Sequence, residues 1–309
     1  MNAHGDHATS NLHAIVAMLI GQASFTFNDV LMKLTAADLP GGQAIFLRGV
    51  MAVLVSLAAY LVVGGFKFEL LRGQGRILTL RNIGEIGSTF FFLFALFHMP
   101  IATAVAILQL MPLAITAAAA LFLAEPVGWR RWLAAFIGLL GVMIVIRPGS
   151  DGFTWWSLLA LTAVAFSVLR DLSTRRVGLH VPAILLVTIS AFTVTTSAAG
   201  FALVETWVVP TPRQLLMLLG AAIFLVSGYY FMVHAMRYGE VAVVSPFRYS
   251  VIVWAILAGV ILWDEWPDAP ALIGTGVVVA AGLYTFMRER KVWRTRQGRV
   301  REYEARYGA

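Results

Sequence analysis

Residues 120–145, ALFLAEPVGWRRWLAAFIGLLGVMIV, and residues 258–286, AGVILWDEWPDAPALIGTGVVVAAGLYTF, are two copies of one pattern. Each copy is an apolar helix, a short turn that holds a glutamate, and a second apolar helix. Glu125 and Glu265 occupy equivalent positions in the two turns. The chain therefore contains an internal repeat. The number of membrane-spanning helices in each copy determines whether the two copies have the same or opposite orientation in the membrane.

The composition of the chain is that of an integral membrane protein. Hydrophobic residues make up 60% and charged residues 13% of the sequence, and the mean hydropathy is +0.81. A bilayer core of roughly 30 Å needs about 20 apolar residues per helix. Continuous apolar runs, rather than short alternating ones, predict helices. The predicted spans are residues 12–32, 43–63, 78–98, 101–121, 130–146, 154–174, 181–204, 212–236, 240–262 and 269–288.

Five predicted spans precede Gly149 and five follow it, so the two halves must cross the membrane in opposite directions. In the first span of each half an acid precedes a base by four residues: Asp29 and Lys33, then Asp171 and Arg175. We therefore predict an all-α integral membrane protein of ten transmembrane helices in two inverted five-helix repeats. The predicted boundaries are 1–149 and 150–290, followed by a basic cytoplasmic tail, 291–309.

Basic residues in the loops predict the orientation, because short cytoplasmic loops carry most Lys and Arg. With the N-terminus inside, seventeen basic residues lie on the cytoplasmic side and three on the other. We predict a multi-pass protein of the inner (plasma) membrane with both termini in the cytoplasm. The start, MNAHGDHATSN, lacks the basic region of a signal peptide, so we expect the first span to be retained.

Several other classes of site are disfavoured. The chain has no cysteine, which excludes disulfides and thiolate metal ligands. His4, His7 and His13 near Asp6 could form a metal-binding arm, but we favour a disordered tail, and predict no metal site and no cofactor. The basic residues behind the net charge of +7 lie mainly on one side of the predicted membrane, as expected for a membrane protein. We therefore predict no nucleic-acid binding. No ATP-binding GxxxxGK[ST] motif is present.

Five stretches resemble the EamA-type drug/metabolite transporters, and together they cover nearly the whole chain. They are FTFNDVLMKL, IFLRGVMAVLVSL, LFHMPIATAVAI, AEPVGWRRWLAAFIGLLGVMIVIRPG and VAVVSPFRYSVIVWAILAGVILWDEWPD. The resemblance implies ten helices in two inverted repeats and a central cavity lined mainly by spans 1, 3, 4, 6, 8 and 9. It also implies alternating access to small metabolites, with some members exporting amino acids and related compounds and others importing vitamins or nucleoside-type compounds.

The ninth span has the strongest candidate substrate contacts. In VVSPFRYSVIVW, Pro246 removes a backbone donor and loosens the helix beside Ser245, Arg248 and Tyr249. We expect Arg248 to face the cavity and bind a substrate carboxylate or phosphate, with a structural ion pair as the alternative. Gln109 occupies the equivalent position in span 4, so we expect it to face Tyr249 across the cavity.

Span 8 places Ser227, Tyr230 and His234 on one polar stripe. Tyr230 is a candidate substrate contact. His234 could relay protons near neutral pH, or it could be a hydrated histidine at the membrane interface. We interpret Tyr229, its neighbour, as lipid-facing or as core packing.

Charged residues within spans are candidates for coupling or gating, because an unpaired charge in the bilayer core is costly. Arg48 could bind a carboxylate or gate the cavity, or it could form a fixed ion pair with Asp29 or Glu85. Glu85 could carry a coupling proton, or Arg81 could neutralise it permanently. Asp29 could act in the cavity or form an interfacial pair with Lys33.

We predict a secondary active transporter, an exporter of small polar metabolites such as amino acids or related carboxylated compounds. The two halves would rock about a central site, with spans 4 and 9 as gates. The alternatives are an importer of a vitamin or nucleoside-type metabolite and, more remotely, a membrane-embedded enzyme acting on lipid-linked substrates. We expect no enzymatic activity. The expected partners are a small-molecule substrate and the lipid bilayer, and a homodimer is compatible with the sequence.

Overall fold

A computed structural model describes residues 3–63, 73–122, 128–148, 154–177, 181–238, 244–285 and 287. Within these ranges, the side chains of residues 3–11, 119, 122, 131, 175, 183, 236–238 and 245 lie outside the description. The second-repeat glutamate of the duplicated turn, Glu265, is described, whereas Glu125 and the tail 291–309 lie outside the described residues.

The described residues form helices and no strands. The helices are α1 (Ala3–Thr35), α2 (Gly41–Val63), α3 (Gly75–His98), α4 (Ile101–Leu108), α5 (Met111–Phe122), α6 (Trp129–Ile146), α7 (Trp155–Arg175), α8 (Ala183–Ala202), α9 (Pro212–Tyr238), a 3₁₀ segment (Ser245–Tyr249), α10 (Ser250–Trp263) and α11 (Ala269–Thr285). Eight stretches are long and apolar enough to cross a bilayer, and α6 and α11 contribute two shorter apolar helices. The prediction of ten helices in two repeats is confirmed.

Two spans are interrupted at equivalent places. Span 4 is divided into α4 and α5 at Gln109 and Leu110, where Pro112 lacks the N–H that would bond to Leu108. In span 9, Ser245–Tyr249 form the 3₁₀ segment around Pro246, and the chain becomes α-helical at Ser250. The interruption beside Pro246 was predicted, whereas span 4 was predicted to be continuous.

The N-terminal tail differs from its prediction. α1 begins at Ala3 instead of near residue 12, so the backbone of the segment predicted to be disordered is helical. Among the described residues no group of three or more His, Asp or Glu is placed to hold a metal ion. His13 is exposed on this helix.

The helices of each repeat pack mainly against helices of the other repeat. The most extensive interfaces join α1 to α9 and α3 to α7, that is, the first span of each repeat to the third span of the other. α2 packs on α8, and α4 packs on α10, so the second and fourth spans pair with their own counterparts. Gly141 of α6 and Gly274 of α11 bring the two fifth spans into backbone contact. Each repeat therefore buries its helices mainly against the other repeat.

Glycines lie at the closest of these helix–helix contacts. A Cβ on Gly84 of α3 would lie 2.6 Å from the backbone nitrogen of Arg170 and 2.8 Å from the carbonyl oxygen of Phe166, both in α7. A Cβ on Gly21 of α1 would lie 3.3 Å from the carbonyl oxygen of Gly228 in α9. Small residues of this kind let transmembrane helices pack backbone to backbone.

We expect Gly84→Ala to lower the melting temperature of the purified protein, because the added methyl group meets backbone atoms of α7 that cannot rotate away. Overpacking of this kind costs about 1–3 kcal/mol. Gly200→Ala in α8 is the matched control, since a Cβ there has nothing within 4 Å. Equal melting temperatures for the two variants would contradict the close approach of α3 and α7.

The ends of the helices define two ends of the bundle. α1, α3, α6, α8 and α10 finish at one end, where α2, α4, α7, α9 and α11 begin. We call it the Lys33 end, after the basic residue in the last turn of α1. The basic residues of the loops predict that the Lys33 end faces outward.

Candidate functional site

A network of charged and polar side chains crosses the interface between the repeats. We call Arg81, Glu85, Arg170, Asp171 and Tyr229 the central network. Arg81 and Glu85 belong to α3, Arg170 and Asp171 to α7, and Tyr229 to α9. The network therefore lies at the most extensive helix interfaces, where the third span of each repeat packs on the first span of the other.

Glu85 is the centre of this network and is buried, with 6% of the residue exposed. Its Oε1 lies 3.7 Å from an Arg170 terminal nitrogen and accepts a hydrogen bond of 3.4 Å from the Tyr229 hydroxyl. Its Oε2 lies 3.8 Å from Arg81 and has no hydrogen-bond partner among the described residues. Both ion pairs are longer than a closed charge-assisted hydrogen bond of about 2.8 Å, so Glu85 is held loosely.

The two arginines beside Glu85 are anchored elsewhere. Arg170 Nε donates to Asp171 at 2.8 Å. Arg81 Nε donates to Thr174 at 3.1 Å, and a terminal nitrogen of Arg81 donates to Ser190 of α8. Both guanidinium groups would therefore stay in place if the carboxylate between them moved or lost its charge.

Arg48 forms a second polar cluster with Asn28 and Asp29. Arg48 is buried, and a terminal nitrogen donates to Asn28 Oδ1 at 3.3 Å. The side-chain nitrogen of Asn28 donates to Asp29 at 2.9 Å. Asp29 and Glu85 are the acidic residues that act electrostatically on Arg48, so the structure brings together three of the residues predicted for coupling or gating.

The structure does not bring Lys33 to Asp29. Lys33 Nζ instead pairs with Glu265 at 2.8 Å, across 232 residues of sequence. Glu265 was interpreted only as a marker of the repeated turn, and local spacing gave no sign of this partner.

Arg248 differs from the arginines at 48, 81 and 170. It lies on the 3₁₀ segment, partly exposed, and makes no ion pair or hydrogen bond with any residue in the described ranges. Asp171 and Arg170 lie within electrostatic range of it. Taken together, the arginines at 48, 81, 170 and 248 outnumber the carboxylates at 29, 85 and 171 by one. Among the described residues, this set of side chains therefore carries one positive charge more than its carboxylates balance.

The interrupted spans hold two more of the predicted contacts. Gln109 lies at the break between α4 and α5, and its Nε2 is buried without a hydrogen-bond partner among the described residues. The Tyr249 hydroxyl is also buried and unpaired, but it lies against Gly282 of α11, where a Cβ would overlap it. Tyr249 thus packs against α11, and its predicted position opposite Gln109 stays a prediction. The side chain of Ser245 lies outside the described residues.

On α9 the structure reverses the expected roles of two neighbouring tyrosines. Tyr230 is 63% exposed and stacks with His234, 6.2 Å between ring centres, away from the central network. Tyr229 reaches Glu85 and packs edge-on against Phe25 at 5.2 Å. The small residues Ala221 and Gly228 mark the packed face of α9 and could have identified Tyr229, which is about 100° from Tyr230 around the helix.

Comparisons with known proteins agree with this architecture. The profile described as the EamA-like transporter family matches residues 12–147 and again residues 154–287. A solved structure aligns with a TM-score of 0.61 and 22% identity, covering 90% of this chain and 98% of the other, which supports the fold alone.

Three curated relatives are transporters by name. A riboflavin transporter of Rhizobium johnstonii is 30% identical over 62% of this chain and 63% of its own length. An S-adenosylmethionine uptake transporter of Rickettsia bellii is 26% identical over 88% of this chain and 93% of its own. A pseudopaline exporter of Pseudomonas aeruginosa is 26% identical over 87% of this chain and 94% of its own.

Proposed function

Because this chain belongs to the EamA-like transporter family, whose profile matches both of its repeats, we propose that it is a secondary active transporter of small carboxylated metabolites, including amino acid-like compounds. The observation that carries the proposal is the excess of one arginine over the carboxylates among the described side chains of the polar site. A negatively charged substrate group would balance that charge, and a guanidinium binds a carboxylate with two parallel hydrogen bonds.

Arg248 is the residue we assign to the substrate carboxylate. Charges within the bilayer are costly when unpaired, and Arg248 has no acidic partner in contact among the described residues. Its 3₁₀ segment and the break at Gln109 are interrupted helices, the elements that form binding sites near the membrane midplane in many transporters. Gln109, whose amide nitrogen has no hydrogen-bond partner among the described residues, is the counterpart we assign to the first repeat.

We assign a coupling proton to Glu85. Protonation of Glu85 would release Arg170 and Arg81, which keep their other bonds, and thus link the charge state of the site to the contact between repeats. Arg48, Asp29 and His234 remain further candidates for coupling or gating.

The protein is a multi-pass membrane protein, and we propose that it lies in the inner (plasma) membrane with both termini inside. The asymmetry of basic residues in the loops supports this orientation. Protease protection of an epitope tag at each terminus, in right-side-out vesicles, tests it.

A second candidate is uptake of a vitamin or nucleoside-type metabolite. The names of two relatives, for riboflavin and for S-adenosylmethionine uptake, favour it. Accumulation of labelled compound in cells that lack their own importer would support uptake, whereas faster loss from preloaded cells would support export.

The deciding experiment is a transport assay in proteoliposomes over a panel of amino acids, organic anions, vitamins and nucleosides, with and without a pH gradient. We expect saturable flux for carboxylated compounds and a change in rate when the gradient is imposed. Saturable flux of neutral compounds alone would reject the carboxylate assignment in favour of the second candidate.

A further inference from the structure

An ion pair at the Lys33 end of the bundle joins the two repeats. Glu265, in the loop between α10 and α11, accepts from Lys33 Nζ with Oε1 at 2.8 Å. Its Oε2 accepts from the backbone nitrogen of Ile101, at the start of α4, at 3.2 Å. Lys33 Nζ also donates to the carbonyl oxygen of Met99 at 2.9 Å and lies 4.8 Å from the ring centre of Trp263. One carboxylate and one ammonium group thus hold α1, the α3–α4 turn and the end of α10 together.

The pair is sheltered but remains accessible to water. The Lys33 side chain is 10% exposed and that of Glu265 is 23% exposed. Burial strengthens the attraction between the two charges but also costs desolvation, which further hydrogen bonds help to repay. Each partner has one such bond, Lys33 to Met99 and Glu265 to Ile101. The exposed edge of Glu265 gives water a way to solvate the carboxylate when the pair separates.

The pair lies where helices of the two repeats meet. α1 is in close contact with α9 through Gly21, and α3 with α7 through Gly84. α4, which follows α3, packs on α10. α1 also packs on α10, through an interface much less extensive than that of α1 with α9. The Lys33–Glu265 pair lies at the end of this smaller interface, and Met99 and Ile101 bring the α3–α4 turn to the same point.

We propose that the Lys33–Glu265 pair is a latch that keeps the Lys33 end closed in this conformation and breaks each time that end opens. The proposal rests on the proposed alternating-access function, because only a transporter that opens at this end needs the pair to separate. The Lys33 end is the predicted outer end, so the latch would hold the protein closed to the outside.

A second glutamate at the same end supplies a matched control. Glu205, after α8, accepts from the backbone nitrogens of Gly42 at 3.0 Å and Gln43 at 2.9 Å, at the start of α2. It too joins the repeats by binding the first turn of a helix. However, the interface of α2 with α8 is far more extensive than that of α1 with α10, so we expect this contact to stay closed.

The test measures the distance across the Lys33 end by pulsed electron paramagnetic resonance in proteoliposomes without substrate. The cysteine-free chain allows spin labels at Ala37→Cys, after α1, and Ala269→Cys, at the start of α11, both of which are exposed. We expect one short distance in the otherwise unchanged protein. Glu265→Gln and Lys33→Met should add a longer distance and raise the ratio of open to closed molecules about tenfold, which corresponds to about 1.4 kcal/mol.

Glu205→Gln should leave the distance distribution unchanged. An unchanged distribution in both latch variants, or the same shift in Glu205→Gln, would overturn the latch. Failure of both latch variants to fold would also overturn it, because the pair would then be needed for folding instead of gating. Since no substrate is present, the latch can fail while the transport panel succeeds, and the reverse also holds.

Discussion

Arg248→Ala should abolish transport of carboxylated substrates while the protein remains folded. The arginine has no ion pair or hydrogen bond among the described residues, so its removal leaves no partner unpaired. Loss of a charged hydrogen-bonding partner costs about 2–5 kcal/mol, which corresponds to a fall in kcat/KM of roughly 30-fold to several thousandfold. The measurement is initial flux in proteoliposomes, with size-exclusion profile and melting temperature as checks on folding.

Two further variants make that result specific. Arg248→Lys keeps the charge but loses the planar fork, so we expect an intermediate loss, mainly in KM. Arg76→Ala removes an exposed arginine at the start of α3 and should leave transport unchanged. If Arg248→Ala transported carboxylated substrates with an unchanged KM, Arg248 would not contact the substrate.

Glu85→Gln should remove the stimulation of transport by a pH gradient, so that rates with and without the gradient become equal. Glutamine has nearly the shape of a protonated glutamate, and it cannot release or take up a proton. The charged and titratable groups that face Glu85 are Arg81 on its own helix, Arg170 on α7 and Tyr229 on α9, with Arg48 of α2 within electrostatic range. Among these, Glu85 is the single carboxylate, whereas Asp171 contacts Arg170 and Asp29 contacts Asn28.

Controls for Glu85 separate coupling from stability. Glu85→Leu leaves Arg81 and Arg170 without their shared acid and should lower the free energy of unfolding by about 3–5 kcal/mol, seen as a lower melting temperature. Asp264→Asn, an exposed acid in the loop after α10, should change neither the gradient effect nor stability. Full pH dependence in a folded Glu85→Gln protein would assign the coupling proton elsewhere.

The fold could be predicted well from the sequence because it depends on properties of single segments. Hydropathy identifies each span independently of its partners, and an odd number of spans per repeat requires the inversion. The break beside Pro246 follows from the missing N–H of proline. Pro112 in span 4 lacks the N–H in the same way. However, the apolar run of span 4 is continuous, so the sequence did not indicate the break at Gln109.

The candidate site was less predictable because it depends on the rotation of helices about their axes and on partners far apart in the sequence. Asp29 is the nearest acid on the face of Lys33, yet the ammonium group binds Glu265, which the repeat packing brings there from the other half of the chain. Tyr229 and Tyr230 are adjacent, and the orientation of α9 alone decides that Tyr229 meets Glu85.

The packing of each repeat against the other also has a consequence for biosynthesis. The principal neighbours of α1 and α3 are α9 and α7, which are translated only after the whole first repeat has entered the bilayer. Until then Arg81 lacks Thr174 and Ser190, and Glu85 lacks Arg170 and Tyr229, so the first repeat cannot reach its final packing alone. We expect the two halves, expressed as separate chains, to accumulate only when they are produced in the same cell.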